Sequence, residues 1–134
     1  MKKKIKTLAV AITFGLMSVS AFAASSTTFT VNNVSVTGRV TYVDESEWNP
    51  LTKDSVTATT TAKSAMDNIK AKATIYYTDG SQTRSTAATA SVDNGKSASK
   101  TVKASAMGVG YRGEGEHYAR HNGSSKTKYT SVNW

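Results

Sequence analysis

The chain has no cysteine and a single proline, Pro50, in 134 residues. Without thiols it has no disulfide framework, no thiolate metal site and no cysteine to acylate, so its stability has to come from packing alone. Aromatic residues make up only 8% of it, so a core must be filled largely by Val, Ile, Tyr and the two tryptophans. Long apolar runs are scarce as well. One extends from Leu8 to Val19, short of the roughly 20 residues that cross a bilayer, and no second one follows. Helical periodicity is also missing, because no long stretch sets large apolar residues at i, i+3, i+4 and i+7.

What is present begins with MKKKIKTLAVAITFGLMSVSAFAASS. Lys2, Lys3, Lys4 and Lys6 precede the apolar run, and Ala21-Phe22-Ala23 closes it, which is the pattern of a secretory signal peptide cleaved after Ala23 or Ala24. The expected organisation is a signal peptide over 1–23 and one secreted domain over 24–134. That length suffices for one modest core and leaves no room for a second domain. The leader takes four of the 17 lysines and arginines and none of the nine acids, so the exported part carries 13 against nine, a balance of +4. Such a charge favours contact with an anionic envelope surface. Nucleic acid is not an expected partner, because no Lys/Arg cluster interleaves with aromatics. The expected location is extracellular, or periplasmic in a host with two membranes, and no integral membrane segment is expected in the mature chain.

Alternation dominates the mature region. In VSVTGRVTYV, Val34, Val36, Gly38, Val40 and Tyr42 share one face and Ser35, Thr37, Arg39 and Thr41 the other, as a half-buried strand requires. Phe29 and Val31 fall on the opposite parity, so Asn32-Asn33 is expected to be a bulge or strand break. Asp44 to Asp54 collects acids, Trp48 and Pro50 and reads as a loop with Trp48 as its anchor. Ile69, Ala71, Ala73, Ile75 and Tyr77 alternate with Lys70, Lys72, Thr74 and Tyr76, and Asp79-Gly80 then supplies a hairpin turn. Asp93 to Lys96 reads as a second turn and Asn122-Gly123 as a third, while Lys70 and Lys72 are expected to guard a sheet edge. Short strands with turn signals at this spacing predict an all-β fold, a single antiparallel β-sandwich or open barrel.

Motifs that suggest chemistry do not survive their context. Gly108, Gly110 and Gly113 spell G-x-G-x-x-G, but a dinucleotide site needs those glycines to open a helix after a buried strand. Here a further Gly115 and the carboxylates Glu114 and Glu116 follow, so a mobile loop or bulged connection is expected over Gly108–Gly115. His117 and His121 share a face on a strand but lie about 13 Å apart, too far for one metal ion held at about 2 Å; both read as surface histidines. Ser97-Ala98-Ser99-Lys100 and Ser125-Lys126-Thr127-Lys128 match S-x-x-K, yet both segments read as strands, and the motif works on a helix. No catalytic residues, cofactor or metal are therefore expected.

With the signal peptide, the absent cysteines, the basic mature domain and the ending EHYARHNGSSKTKYTSVNW assembled, the chain resembles the lactococcin family of small secreted β-sandwich bacteriocins over its last third. The resemblance implies a cationic, Ser/Thr/Asn-rich sandwich closing on a terminal aromatic, as Trp134 does here, and cell-wall interference through lipid II. It assigns no binding residue, because this chain is longer and lacks a Trp/Gly-rich start to the mature region. The IYYTDGS hairpin is in addition similar to that of many secreted proteins of Gram-positive bacteria.

Tyr111, Arg112, His117, Tyr118, Arg120 and Tyr129 cluster near the glycine segment and the final hairpin, and Tyr and Arg are over-represented at binding hot spots. The expected function is a secreted, non-enzymatic, cationic β-sandwich that binds a cell-envelope or extracellular component through these residues, with bacteriocin-like antibacterial action as one form. The alternative is a structural or adhesive surface protein that self-associates through strand edges.

Overall fold

A computed structural model describes residues 21–44 and 53–134, and every regular element in them is a strand. These are β1 (Ala21–Val31), β2 (Val34–Asp44), β3 (Ser55–Asp79), β4 (Gln82–Lys103), β5 (Val109–His121) and β6 (Ser124–Asn133). The expected all-β antiparallel architecture is the one observed. The strands form one sheet in the order β1-β2-β3-β5-β6, with β4 paired to β3 off that path. None of the described residues forms a helix long and apolar enough to cross a membrane. Trp48 and Pro50 lie outside the described residues.

β3 organises the sheet. β4 runs along one of its edges over nearly its full length, while β2 pairs with Ser55–Ala62 and β5 with Asn68–Thr78. The register with β4 shifts between Thr61 and Met66, and there the β3–β4 ribbon turns a corner. Thr60 Oγ1 donates to the carbonyl oxygen of Lys70 at 2.8 Å, although ten residues of straight strand would hold them about 33 Å apart. On β4 the corner passes through Asn94, at φ 51, and Gly95, opposite Met66. Asn68 braces it, donating from Nδ2 to Ser91 Oγ at 2.9 Å and to Asp93 Oδ1 at 2.7 Å. Asp93–Lys96 is therefore a bend within one strand and not the turn its composition suggested. The Ala/Ser/Thr-rich stretch that follows continues as strand to Lys103.

Past the corner the sheet lies over itself. One layer holds β1, β2 and the first part of β3. The other holds the rest of β3 with β5 and β6. Between them Val36, Val40, Tyr42, Val56 and Ala58 meet Ile69, Ala71, Ala73, Ile75, Ala119 and Val132, all buried. The predicted inward sets of β2 and of Ile69–Tyr77 are the observed ones. β1 and β6 approach each other at the seam. The β1–β2 and β5–β6 hairpins are tied at one end, where Asn32 Nδ2 donates to the carbonyl oxygen of His121 at 2.6 Å, and Asp67 of β3 accepts the Asn122 N–H beside it at 2.8 Å.

The turns explain where parity changes. Asn32 and Asn33 take φ 44 and 65 between the paired Val31 and Val34. Two successive positive φ values are the signature of a type I′ hairpin, so this pair is a complete turn, not a bulge or break. Asn122-Gly123 is the same turn, at φ 48 and 79. Asp79 pairs with Gln82 and only Gly80 has positive φ, so the turn between β3 and β4 is Gly80-Ser81, one residue on from Asp79-Gly80. Lys70 and Lys72 do not guard an edge, since β3 is paired on both sides. The expected cleavage after Ala23 or Ala24 falls within β1, among rungs paired to Tyr42 and Thr41.

Small residues set the distance between layers. Gly38 faces the ring of His117 so closely that a Cβ there would lie 2.2 Å from His117 Cγ. Gly110, Gly113 and Gly115 point inward from β5, under Trp134, Val56 and Thr130. Two glycines of the supposed fingerprint, Gly110 and Gly113, are thus strand packing with one bulge at Tyr111 between them, while Gly108 lies just ahead of β5 against the Tyr77 ring. Gly38→Ala should lower stability by about 3 kcal/mol, at the upper end of overpacking costs. Urea titration of this variant and of Gly38→Ala with His117→Ala checks it: the double variant should recover part of the loss that the glycine substitution causes.

Candidate functional site

Two groups of polar residues stand out, one inside the sandwich and one on its outer surface. The inner group centres on His117, which has no exposed surface. Thr60 spends its single hydroxyl proton on Lys70 O, so at 2.9 Å it accepts from His117 Nδ1–H. Nε2 then carries the lone pair and accepts the Thr130 hydroxyl proton at 2.7 Å. The imidazole is neutral and its tautomer is fixed, with both ring nitrogens satisfied as a buried polar group demands. His117 is therefore neither a surface histidine nor part of a recognition face, because its position in β5 has the inward parity of Gly113 and Gly115. His121 sits at the end of β5, half-buried, with Nδ1 3.7 Å from Asp67 Oδ1. Among the described residues no group of three His, Asp or Glu side chains is disposed to hold a metal ion.

Burial pushes the His117 pKa down to about 4. The folded protein thus resists protonation between pH 4 and the ordinary value of about 6.5, while the unfolded chain accepts it. The part of the stability that depends on His117 is complete above pH 6.5, falls as pH drops through that window, and is fully lost below pH 4. The loss should amount to about 3 kcal/mol. Urea midpoints measured across the window should show this slope in the parent protein, and His117→Gln should remove its contribution.

The outer group is a grid. On β5 the outward side chains are Arg112, Glu114, Glu116, Tyr118 and Arg120, flanked by β3 and β6 in fixed register. Tyr76, Arg112 and Asn133 form one row, Thr74, Glu114 and Ser131 the next, then Lys72, Glu116 and Tyr129, and then Lys70, Tyr118 and Thr127. A groove of about 320 Å³ runs over this grid, floored by Gly115 and Thr130. At one end Tyr76 OH donates to Glu114 Oε2 at 2.9 Å, and Arg112 Nη2 lies 2.6 Å from Glu114 Oε1. The bond to Glu114 is the main reason that the Tyr76 hydroxyl is raised above its usual pKa. At the other end Lys70 Nζ sits 5.1 Å from the centre of the Tyr118 ring, within cation–π range.

Five of the six residues singled out by sequence come together on or beside this face. Arg112, Tyr118 and Arg120 project from β5, and Tyr129 from β6 with 71% of its surface exposed. Tyr111 joins them through the bulge. Tyr76 pairs with Arg112 and Tyr77 with Gly110, leaving Tyr111 as the extra residue beside Tyr76, with ring centres 6.5 Å apart. A bulge re-aims a side chain in this way. Sequence reasoning missed Lys72, Tyr76, Glu114 and Glu116 as groove residues. The period-two pattern had set Lys72 and Tyr76 outward, but only the register brings β3 beside β5.

A scan against protein-family models and a search of curated proteins return no match to this chain.

Proposed function

We propose that this chain is an exported, non-enzymatic binding module whose outer β3–β5–β6 face holds a component of the cell envelope. One observation carries the reading. Tyr76 and Arg112 clamp Glu114, while in the same groove the side chains of Lys72, Glu116 and Tyr129 have no partner among the described residues. Donors, acceptors and an exposed aromatic ring are thus left for something else. Both charge signs next to tyrosines suit a hydroxyl-rich polymer with charged substituents, such as an envelope glycan. Ring faces cover the apolar side of a sugar, and carboxylate and ammonium groups bond its rim. The groove is about half open to solvent, which suits a chain lying across the sheet better than a small molecule that must be enclosed. The +4 balance of the exported part supplies attraction at longer range. Bacteriocin-like action is the form of this function that the family resemblance implies.

Sedimentation of the exported protein with isolated cell walls should exceed that of an unrelated protein of equal charge. Tyr129→Ala and Arg112→Ala should each weaken binding about tenfold, the cost of losing one hot-spot side chain. Equal sedimentation of the control, or full binding by both variants, would count against the face. Growth inhibition of related bacteria, relieved by added lipid II, would mark the antibacterial form.

A further inference from the structure

β4 is bonded along one edge only, for it pairs with β3 and with no other described strand. Proteins usually guard such an edge with lysine, proline or a bulge, since its unpaired backbone groups are a template for another strand. The two halves of β4 differ in this respect. Past the corner the strand carries Lys96, Lys100 and Lys103. Before it, Ser85 to Val92 reads STAATASV, with no charge, proline or glycine, and most of these residues are exposed. Arg84 at its start is drawn back toward its own hairpin, 2.7 Å from Gln82 Oε1 and 3.7 Å from Asp79 Oδ2. The corner at Asn94 and Gly95 ends the straight part.

We propose that this half-strand is a self-association edge, on which a second copy of the chain adds its own β4 antiparallel about a two-fold axis through Ala88. An axis normal to the sheet keeps facing residues on the same side, and the sequence suits it. Ala87 then meets Thr89 of the second copy, Thr86 meets Ala90, Ser85 meets Ser91, and Arg84 meets Val92. No like charges oppose each other. The apolar stem of Arg84 covers Val92, which is 37% exposed in the single chain. Ala88 and Ala90, packed half-buried at the rim of the core, continue that core across the junction. The layer containing β6, β5, β3 and β4 becomes one sheet spanning both copies. Because the axis is normal to it, both grooves open to the same side, so one dimer presents two of them to one surface. That last consequence rests on the proposed binding role; the pairing itself does not.

Sedimentation equilibrium of the exported protein should show a reversible, concentration-dependent dimer. Amide exchange at 85–91 should slow as concentration rises, a readout that needs no variant. Ala87 and Thr89 are exposed on the outer face, so both can be changed without touching the core. Ala87→Lys with Thr89→Lys sets lysine against lysine and should give a monomer. Ala87→Lys with Thr89→Glu sets lysine against glutamate and should restore the dimer. A parent protein that stays monomeric with unchanged exchange at 85–91 would overturn the proposal, as would two double variants that associate equally.

Discussion

A strand of 25 residues laid straight would run about 80 Å, several times the thickness of any layer this chain can build, so β3 has to bend, and the place of the bend decides which residues meet. It falls between Thr61 and Met66, where the facing segment of β4 offers Asn94 with positive φ and Gly95. From that corner follow the stacking of the layers, the bond from Thr60 to Lys70 and the seat of His117 between Thr60 and Thr130. Because β2 and β5 take successive stretches of one edge of β3, the corner also sets β5 across from β2. Gly38 and Gly115 are the recesses that let an imidazole fit there.

Much of this was legible in the residue pattern. Alternation in Val34–Tyr42 and Ile69–Tyr77 identified two core faces, because an antiparallel strand with one dry side must alternate. The corner was not legible. Asp-Asn-Gly-Lys is a turn by composition, and the same backbone freedom serves equally well to bend a strand that stays paired. Asn32-Asn33 was misread for a related reason: a parity flip is produced by a bulge and by a two-residue hairpin alike, and only pairing tells them apart. Gly110, Gly113 and Gly115 looked like loop residues because local composition does not reveal that Trp134, Val56 and Thr130 occupy the space above them.

The outer β3–β5–β6 face was half legible. Tyr and Arg content located the β5–β6 hairpin, and the structure places five of the six candidates together. His117 was misplaced because inward and outward positions on β5 could not be distinguished while glycines stood in place of apolar residues on the inward side. In the sequence Glu114 and Glu116 count only as carboxylates that speak against a dinucleotide site. Their place beside Lys72 and Tyr76 depends on a pairing between segments about 40 residues apart in sequence, which a hydrophobic period does not encode.

The shared ribbon has a further consequence for how the molecule opens. In a sandwich whose layers are made of different strands, one layer can loosen while the other stays paired. Here β3 runs through both layers, and its ladder with β4 is continuous except at the corner. Parting either layer means unzipping the same ribbon that holds the other. Sub-global openings are therefore restricted to the outlying hairpins β1–β2 and β5–β6, and the central ribbon opens only with the whole domain. Lacking any covalent cross-link, the chain keeps its two halves together through strands that belong to both.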